Sequence, residues 1–118
     1  MRQDKIEDNV ILKLSFEFAL EIIAYSELLD TNRKYIISKQ LLKSGTSIGA
    51  NVREAQNSES KADFIHKFKI AAKEADETQY WLQLCKFSKN YPDCEHLIKR
   101  VEELNRIITK IISTSKRQ

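Results

Sequence analysis

Glycine and proline are scarce in this chain of 118 residues, which contains two glycines and one proline. A fold built from many β-turns needs more of both, so their scarcity argues against a turn-rich β architecture and favours long helices. The two cysteines are too few for a disulfide framework, and they lack the C-x-x-C spacing of a zinc site. No apolar run approaches the roughly 20 residues that span a bilayer.

Neither sign of charge is in large excess. The chain has 20 basic and 17 acidic residues, and its formal net charge of +3 is below that of a dedicated nucleic-acid-binding domain. Hydrophobic residues make up 42% of the chain, which is enough for the core of one domain over residues 1–118. The polar amino terminus lacks the apolar core of a signal peptide, so a soluble, cytoplasmic protein is predicted.

Hydrophobic periodicity predicts four amphipathic helices, because apolar residues recur at alternating spacings of three and four. In helix 3 the predicted seam comprises Phe64, Phe68, Ala71, Ala75, Thr78, Leu82 and Cys85. Ser60 begins a capping box with Asp63, and Pro92 suits the first position of the last helix. The predicted helices span about residues 5–29, 33–56, 61–88 and 92–113. Short turns make successive helices antiparallel, so the predicted fold is all-α, an antiparallel up-down-up-down four-helix bundle.

Two glycines lie one turn apart inside helix 2, where each costs about 1 kcal/mol relative to alanine. Close helix packing, with Gly45 opposite Ala71 and Ala72 of helix 3, explains them, and a hinge is the alternative. The same register of the hairpin predicts three further pairs: Val52 with Phe64, Ile48 with Phe68, and Leu41 with Ala75.

Helix 1 has more apolar surface than one bundle seam requires. Its first stripe comprises Ile11, Leu14, Phe18, Ile22, Tyr25 and Leu29. Its second stripe comprises Leu12, Phe16, Ala19 and Ile23. A bundle helix buries one apolar arc a little over 100° wide, so the second stripe would be exposed in a monomer. This pattern predicts self-association through Leu12, Phe16 and Ile23, unless helix 1 is simply the most buried helix.

Candidate metal ligands are present in an unfavourable arrangement. Asp63-x-x-His66 and Asp93-x-x-His96 approach the Glu-x-x-His pairs of di-iron bundles. They begin antiparallel helices at opposite ends of the bundle, on the order of 35–40 Å apart, so they cannot share a metal. Cys85 and Cys94 are interpreted as packing residues. No nucleophile elbow, phosphate-binding loop or dinucleotide fingerprint occurs, so we predict no enzyme activity, no cofactor and no small-molecule substrate.

Five polar residues of helices 2 and 3 are not explained by packing, and they are predicted to join an oligomer interface: Asn51, Arg53, Glu54, Glu74 and Glu77. Arg53 is placed to reach Asp63, and Lys39 to reach Glu77. The pairs are either surface ion pairs worth about 0–1 kcal/mol or a polar network that fixes register or symmetry.

Cations on the same two helices are candidate nucleic-acid contacts: Arg33, Lys34, Lys39, Lys43, Lys69 and Lys73. Phosphate contacts dominate nucleic-acid binding, and assembly of several copies would multiply the modest charge of one chain. Glutamates dilute this group of cations, and no aromatic residues are interleaved with it.

The segment from Gln40 to Leu82 resembles the family of small bacterial proteins encoded by intervening sequences of 23S ribosomal RNA genes. It is similar, more distantly, to the accessory variability determinant of diversity-generating retroelements. The residues that carry the resemblance are Gln40, Ser47-Ile48, Asn51, Val52 and Glu54, followed by Phe64, Phe68, Ala71, Glu74, Glu77 and Leu82. Two positions depart from the family pattern, since Arg53 replaces a small alanine and Ala55 replaces a glycine.

The resemblance implies a homo-oligomeric bundle, commonly a pentameric ring with a central channel. The intervening-sequence members have no established activity to carry over, and the retroelement relatives bind a reverse transcriptase and nucleic acid through a basic surface. The predicted function is therefore a non-enzymatic homo-oligomeric scaffold with RNA, DNA or a ribonucleoprotein as its partner. The alternative is a purely structural or protein-interaction bundle with no role in nucleic-acid binding and no membrane association.

Overall fold

Four long helices account for most of the backbone between residues 6 and 118, the part of the chain that the computed structural model describes; side chains are described from residue 10. They are α1 (Ile6–Thr31), α2 (Tyr35–Ala55), α3 (Lys61–Phe87) and α4 (Glu95–Arg117). The described residues contain no strand and measure 47 × 20 × 19 Å. The prediction of an all-α fold with four helices is confirmed.

Contacts between successive helices run in opposite directions along the sequence, as antiparallel neighbours require. Ser38 Oγ near the start of α2 donates a hydrogen bond to the Ser26 carbonyl near the end of α1, whereas Gly49, later in α2, lies against the earlier residue Ser15. The pairs Ser44–Thr78 and Glu54–Lys67 join α2 to α3, and Asp76–Asn105 and Lys86–Glu95 join α3 to α4 in the same manner. α1 also packs against α4, and the backbones of the diagonal helices do not come into contact among the described residues.

The helix boundaries differ from the predicted ones mainly at α4. Pro92 is not its first residue, because Tyr91–Cys94 is non-helical and Cys94 is the N-cap of a helix that begins at Glu95. The Pro92 carbonyl instead accepts a 2.7 Å hydrogen bond from the Tyr25 hydroxyl, which ties this loop to α1. α4 continues to Arg117, beyond the predicted end near residue 113. The predicted start of helix 1 near Lys5 lies outside the described residues.

The predicted core seams are confirmed. In α3 the buried residues are Phe64, Phe68, Ala71, Ala75, Thr78, Leu82 and Cys85, which is the whole predicted seam. The first stripe of α1 is also buried, except for the half-buried Leu14. The Ser60 hydroxyl accepts a 3.0 Å hydrogen bond from the backbone N–H of Asp63, so the predicted N-cap of α3 is formed.

The predicted register between α2 and α3 is displaced. Under that register Glu54 would face residue 62 and Ser44 would face residue 72, but the structure pairs them with Lys67 and Thr78. Side chains of a helix lean toward its amino terminus. In an antiparallel pair they lean in opposite directions, so contacting residues are offset from those whose Cα atoms are level.

The two glycines of α2 face α1 and not α3. A Cβ atom built on Gly45 would lie 2.9 Å from both Cγ atoms of Ile22, and one on Gly49 would lie 3.2 Å from the Ser15 carbonyl oxygen. α2 is unbroken through both positions, so close packing explains the glycines and the hinge alternative does not. The expectation that Gly45 meets Ala71 and Ala72 was wrong about the partner helix.

Candidate interaction surfaces

An apolar surface on α1 and α2 remains exposed in the folded chain. Phe16, Leu20 and Ile23 of α1 are 60%, 53% and 39% exposed, and Leu12 and Ala19 beside them are half-buried. Exposed apolar side chains at Leu42 and Ala50 lie on the flanking part of α2. We call these seven residues the α1–α2 surface. The predicted exposure of the second stripe is therefore confirmed at Phe16 and Ile23, and burial of helix 1 does not account for these residues.

A groove of about 200 Å³ runs between the two helices within this surface. Leu12, Ser15, Phe16, Ala19, Thr46, Gly49, Ala50 and Arg53 line it. The missing side chain at Gly49 leaves room beside the Ser15 backbone, and Arg53 contributes the one charged side chain of the lining. Sequence reasoning assigned Arg53 to the turn with Asp63, but the structure places it beside α1.

The polar residues predicted to join an interface make mostly local contacts. The Asn51 amide donates to the Ser47 carbonyl one turn earlier, at 2.9 Å. Glu54 forms an ion pair with Lys67 at 3.1 Å, and Glu77 accepts a 3.3 Å hydrogen bond from the Trp81 indole. No Arg53–Asp63 or Lys39–Glu77 ion pair is present among the described residues. Those two predicted pairs were wrong because the true register moves the partners apart.

Glu74 lies half-buried on the α2–α3 face. Burial, together with the nearby carboxylate of Glu77, raises the pKa of Glu74, and Lys43 and Lys73 act against that rise. Lys43 and Lys73 therefore both lie near the Glu74 carboxylate, although neither forms an ion pair with it among the described residues.

The six predicted nucleic-acid contacts do not form one basic surface. Lys69 and Lys73 are exposed on α3, and Lys39 and Lys43 are exposed on α2, with Lys43 and Lys73 near the Glu74 carboxylate. Arg33 and Lys34 lie elsewhere, in the turn between α1 and α2.

Sequence reasoning missed a cluster around that turn, at the end of the bundle where the α3–α4 loop also lies. The Lys34 ammonium sits 4.8 Å above the centre of the Tyr91 ring. Arg33, Lys34, Tyr35, Ile36, Ile37 and Tyr91 line a depression of about 230 Å³. We call Arg33, Lys34, Tyr35, Ile36 and Tyr91 the loop-end cluster. One part of this cluster could be found in the sequence, because Tyr35 and Ile36 stand together at the start of an amphipathic helix. The contribution of Tyr91 is visible only in the structure, because Tyr91 comes from the loop between α3 and α4.

The two cysteines are buried, as the packing interpretation predicts. Burial raises the pKa of the Cys85 thiol to about 11, and burial also raises the pKa of Cys94. Across residues 10–118 no group of three histidine, cysteine or acidic side chains could hold a metal ion. Tyr80 is exposed, whereas the neighbouring Trp81 packs against the core.

None of the helices in the described part of the chain has the length and apolarity needed to cross a membrane.

Comparisons with known proteins agree with this fold. The family model of the 23S rRNA-intervening sequence protein matches residues 7–110. A solved structure of a protein of unknown function from the S23 ribosomal protein family of Bacteroides thetaiotaomicron is 43% identical and superposes with a TM-score of 0.84. The similarity covers 92% of this chain and 99% of that one. No curated protein matches the chain. The chain thus belongs to the 23S rRNA-intervening sequence protein family.

Proposed function

We propose that the protein is a non-enzymatic scaffold that assembles from several copies through the α1–α2 surface. The observation that carries the proposal is that Phe16, in the middle of the α1–α2 surface, is 60% exposed. The exposed apolar side chains of this surface, Phe16, Leu20 and Ile23, are called the strip. The exposed Phe16, Leu20 and Ile23 are not part of the core, because the first stripe of α1 already fills the seam. An apolar strip that does not serve the fold is typical of a partner surface.

The strip is large enough to contribute measurably to association. Fully burying one large apolar side chain stabilises by about 1.5–3 kcal/mol. The exposed fractions of Phe16, Leu20 and Ile23 together equal about one and a half such side chains, or roughly 2–5 kcal/mol for each copy. In a ring this surface of one copy meets a different face of its neighbour, so the amount counts once for each interface. Further contacts must offset the loss of translational and rotational freedom.

A second copy of the chain fits this surface better than a charged partner would. Arg53 is the only charged residue that lines the groove, so the groove does not favour a strongly charged partner. A ring of five copies is the arrangement that the family resemblance implies, and a cytoplasmic location accompanies the proposal. The polar residues Asn51, Glu54, Glu74 and Glu77 would then border the contact and not form its centre.

The proposal is tested by placing a charge on the strip. Phe16→Glu should reduce the mass of the native particle to that of a single chain, 13.8 kDa, because a buried unpaired carboxylate costs several kcal/mol. Phe87→Glu is a matched control, since Phe87 is 77% exposed at the end of α3 and lies outside the strip. Sedimentation velocity of both variants, with circular dichroism to verify folding, gives the answer. Equal masses for Phe16→Glu and the wild type would contradict the assignment of the interface.

A nucleic-acid partner is the second part of the proposed function. The unpaired cations of the turn between α1 and α2 favour it, whereas the lysines of α2 and α3 are interspersed with carboxylates. The alternative of a purely structural bundle predicts that no oligonucleotide binds to the assembled protein even at low salt.

A further inference from the structure

We propose that the loop-end cluster binds single-stranded nucleic acid, with a base stacked beside Tyr35 and phosphates held by Arg33 and Lys34. This inference deepens the nucleic-acid part of the proposed function by naming the strand type and the site. It is independent of self-association, because the cluster lies within each copy.

Exposed aromatic and apolar side chains are concentrated at this end of the bundle. Tyr35 is 60% exposed and Ile36 is 80% exposed, although both begin a helix whose buried face is apolar. The half-buried Tyr91 comes from the other loop and lines the same depression. The core does not need Tyr35 or Ile36, so the fold alone does not account for them.

The cations of the cluster are available to a ligand. Arg33 and Lys34 form no ion pair with the carboxylates of the described residues, in contrast to Lys86, which is paired with Glu95 at 3.2 Å. Arg33 has a left-handed backbone with φ of 62°, which fixes the turn from which its side chain extends. Lys34 is held above the Tyr91 ring, so a ligand would meet an ordered cation beside an aromatic side chain.

The combination of aromatic and cationic groups selects the chemical class of the ligand. Nucleobases stack on aromatic side chains while the backbone phosphates contact arginine and lysine. A duplex hides the faces of its bases, so the exposed Tyr35 favours a single strand. An acidic peptide would have to rely on charge alone and would leave the exposed Tyr35 without a base to stack on it.

The first test compares two tyrosines of similar exposure. Binding of a fluorescent single-stranded oligo(U) of about 20 nucleotides is measured by anisotropy at about 50 mM salt. Tyr35→Ala should weaken binding roughly 5- to 150-fold, which is the range for the loss of one stacked base. Tyr80→Ala, where the tyrosine is 58% exposed on α3, should leave the affinity unchanged. Equal losses in the two variants, or no binding by the wild type, would overturn the proposal.

The second test measures how the affinity depends on salt. Replacing Arg33 and Lys34 by glutamine should make the log–log salt dependence shallower by roughly 1.4, because each phosphate contact to a single strand contributes about 0.7. The matched change of Lys69 and Lys73 to glutamine should leave the slope unaltered. A change of slope only in the second pair would place the contact along α3 and overturn the site.

Two controls separate this proposal from its competitors. Poly-glutamate and a duplex of the same sequence should compete poorly with the labelled strand, and effective competition by either would overturn the assignment of the ligand. Light scattering on the same samples reports the oligomeric state, so failure of the site is distinguished from failure of self-association.

Discussion

The close approach of α1 to α2 at Gly45 leads to a quantitative prediction. Alanine favours a helix over glycine by about 1 kcal/mol, so Gly45→Ala would stabilise an isolated helix. In the folded chain the new methyl group would lie 2.9 Å from Cγ1 and Cγ2 of Ile22. These atoms belong to a fully buried β-branched side chain with little rotamer freedom, and such overpacking costs about 1–3 kcal/mol. We expect Gly45→Ala to destabilise the protein by about 1 kcal/mol.

A double-mutant cycle isolates the role of Ile22. Ile22→Ala removes both Cγ atoms and alone should cost about 2–5 kcal/mol. In that background Gly45→Ala loses its clash and keeps its helical advantage, so it should stabilise by up to about 1 kcal/mol. The coupling energy between the two sites is therefore predicted at about 2 kcal/mol.

The assay is urea unfolding followed by circular dichroism, with all variants at one protein concentration because self-association would also affect stability. Gly49→Ala is the comparison, since it carries the same gain in helix propensity and its methyl group would lie 3.2 Å from one backbone oxygen. A stabilising effect of Gly45→Ala in the wild-type background would refute the account of close packing. Additive effects of Gly45→Ala and Ile22→Ala on the free energy of unfolding would refute it as well.

Three further predictions concern single side chains. Ser60→Ala should lower the free energy of unfolding by about 1 kcal/mol because it removes the N-cap of α3, while Glu59→Ala beside it should have little effect in the same urea titration. Burial and a neighbouring carboxylate raise the pKa of Glu74, so the folded state binds this proton more tightly than the unfolded chain, and the ionised carboxylate weakens the fold at neutral pH. Glu74→Gln should therefore increase the urea midpoint at pH near 7, and the increase should disappear below the ordinary carboxyl pKa, where Glu74 is protonated in both states. An increase that persists at low pH, or an equal increase in the control Glu59→Gln, would contradict the link between the pKa of Glu74 and stability. Cys85 and Cys94 should react with Ellman's reagent at mildly alkaline pH only after urea unfolding, because both are buried with raised pKa values; rapid reaction of the native protein would be inconsistent with the structure.

The sequence was sufficient for the parts of the fold that depend on periodicity. Every member of the predicted α3 seam is buried, because alternating spacings of three and four place side chains on one face whatever the partner helix is. The second stripe of α1 could be found in the same way, since Phe16 and Ile23 repeat with helical spacing on a different face.

Features that depend on three-dimensional pairing could not be read from the chain. Gly45 was assigned to the helix that follows it, but its open side faces Ile22 of the helix before it. The predicted Arg53–Asp63 pair rested on residues whose Cα atoms are at the same height on either side of the turn. Side chains lean toward the amino terminus of their helix, so the residues that contact each other are offset from those positions. Pro92 matches a helix start by local statistics, yet the hydrogen bond from Tyr25 holds it in a loop. The loop-end cluster could not be predicted because Tyr91 is distant from Tyr35 in sequence.

Self-association through the α1–α2 surface is the central claim, and the mass of the wild-type particle tests it most directly. Multi-angle light scattering after gel filtration, at micromolar concentration and moderate salt, reports that mass without reference to shape. The account predicts an integer multiple of the 13.8 kDa chain, with five copies as the number that the family resemblance implies. A mass equal to one chain across the micromolar range would contradict it.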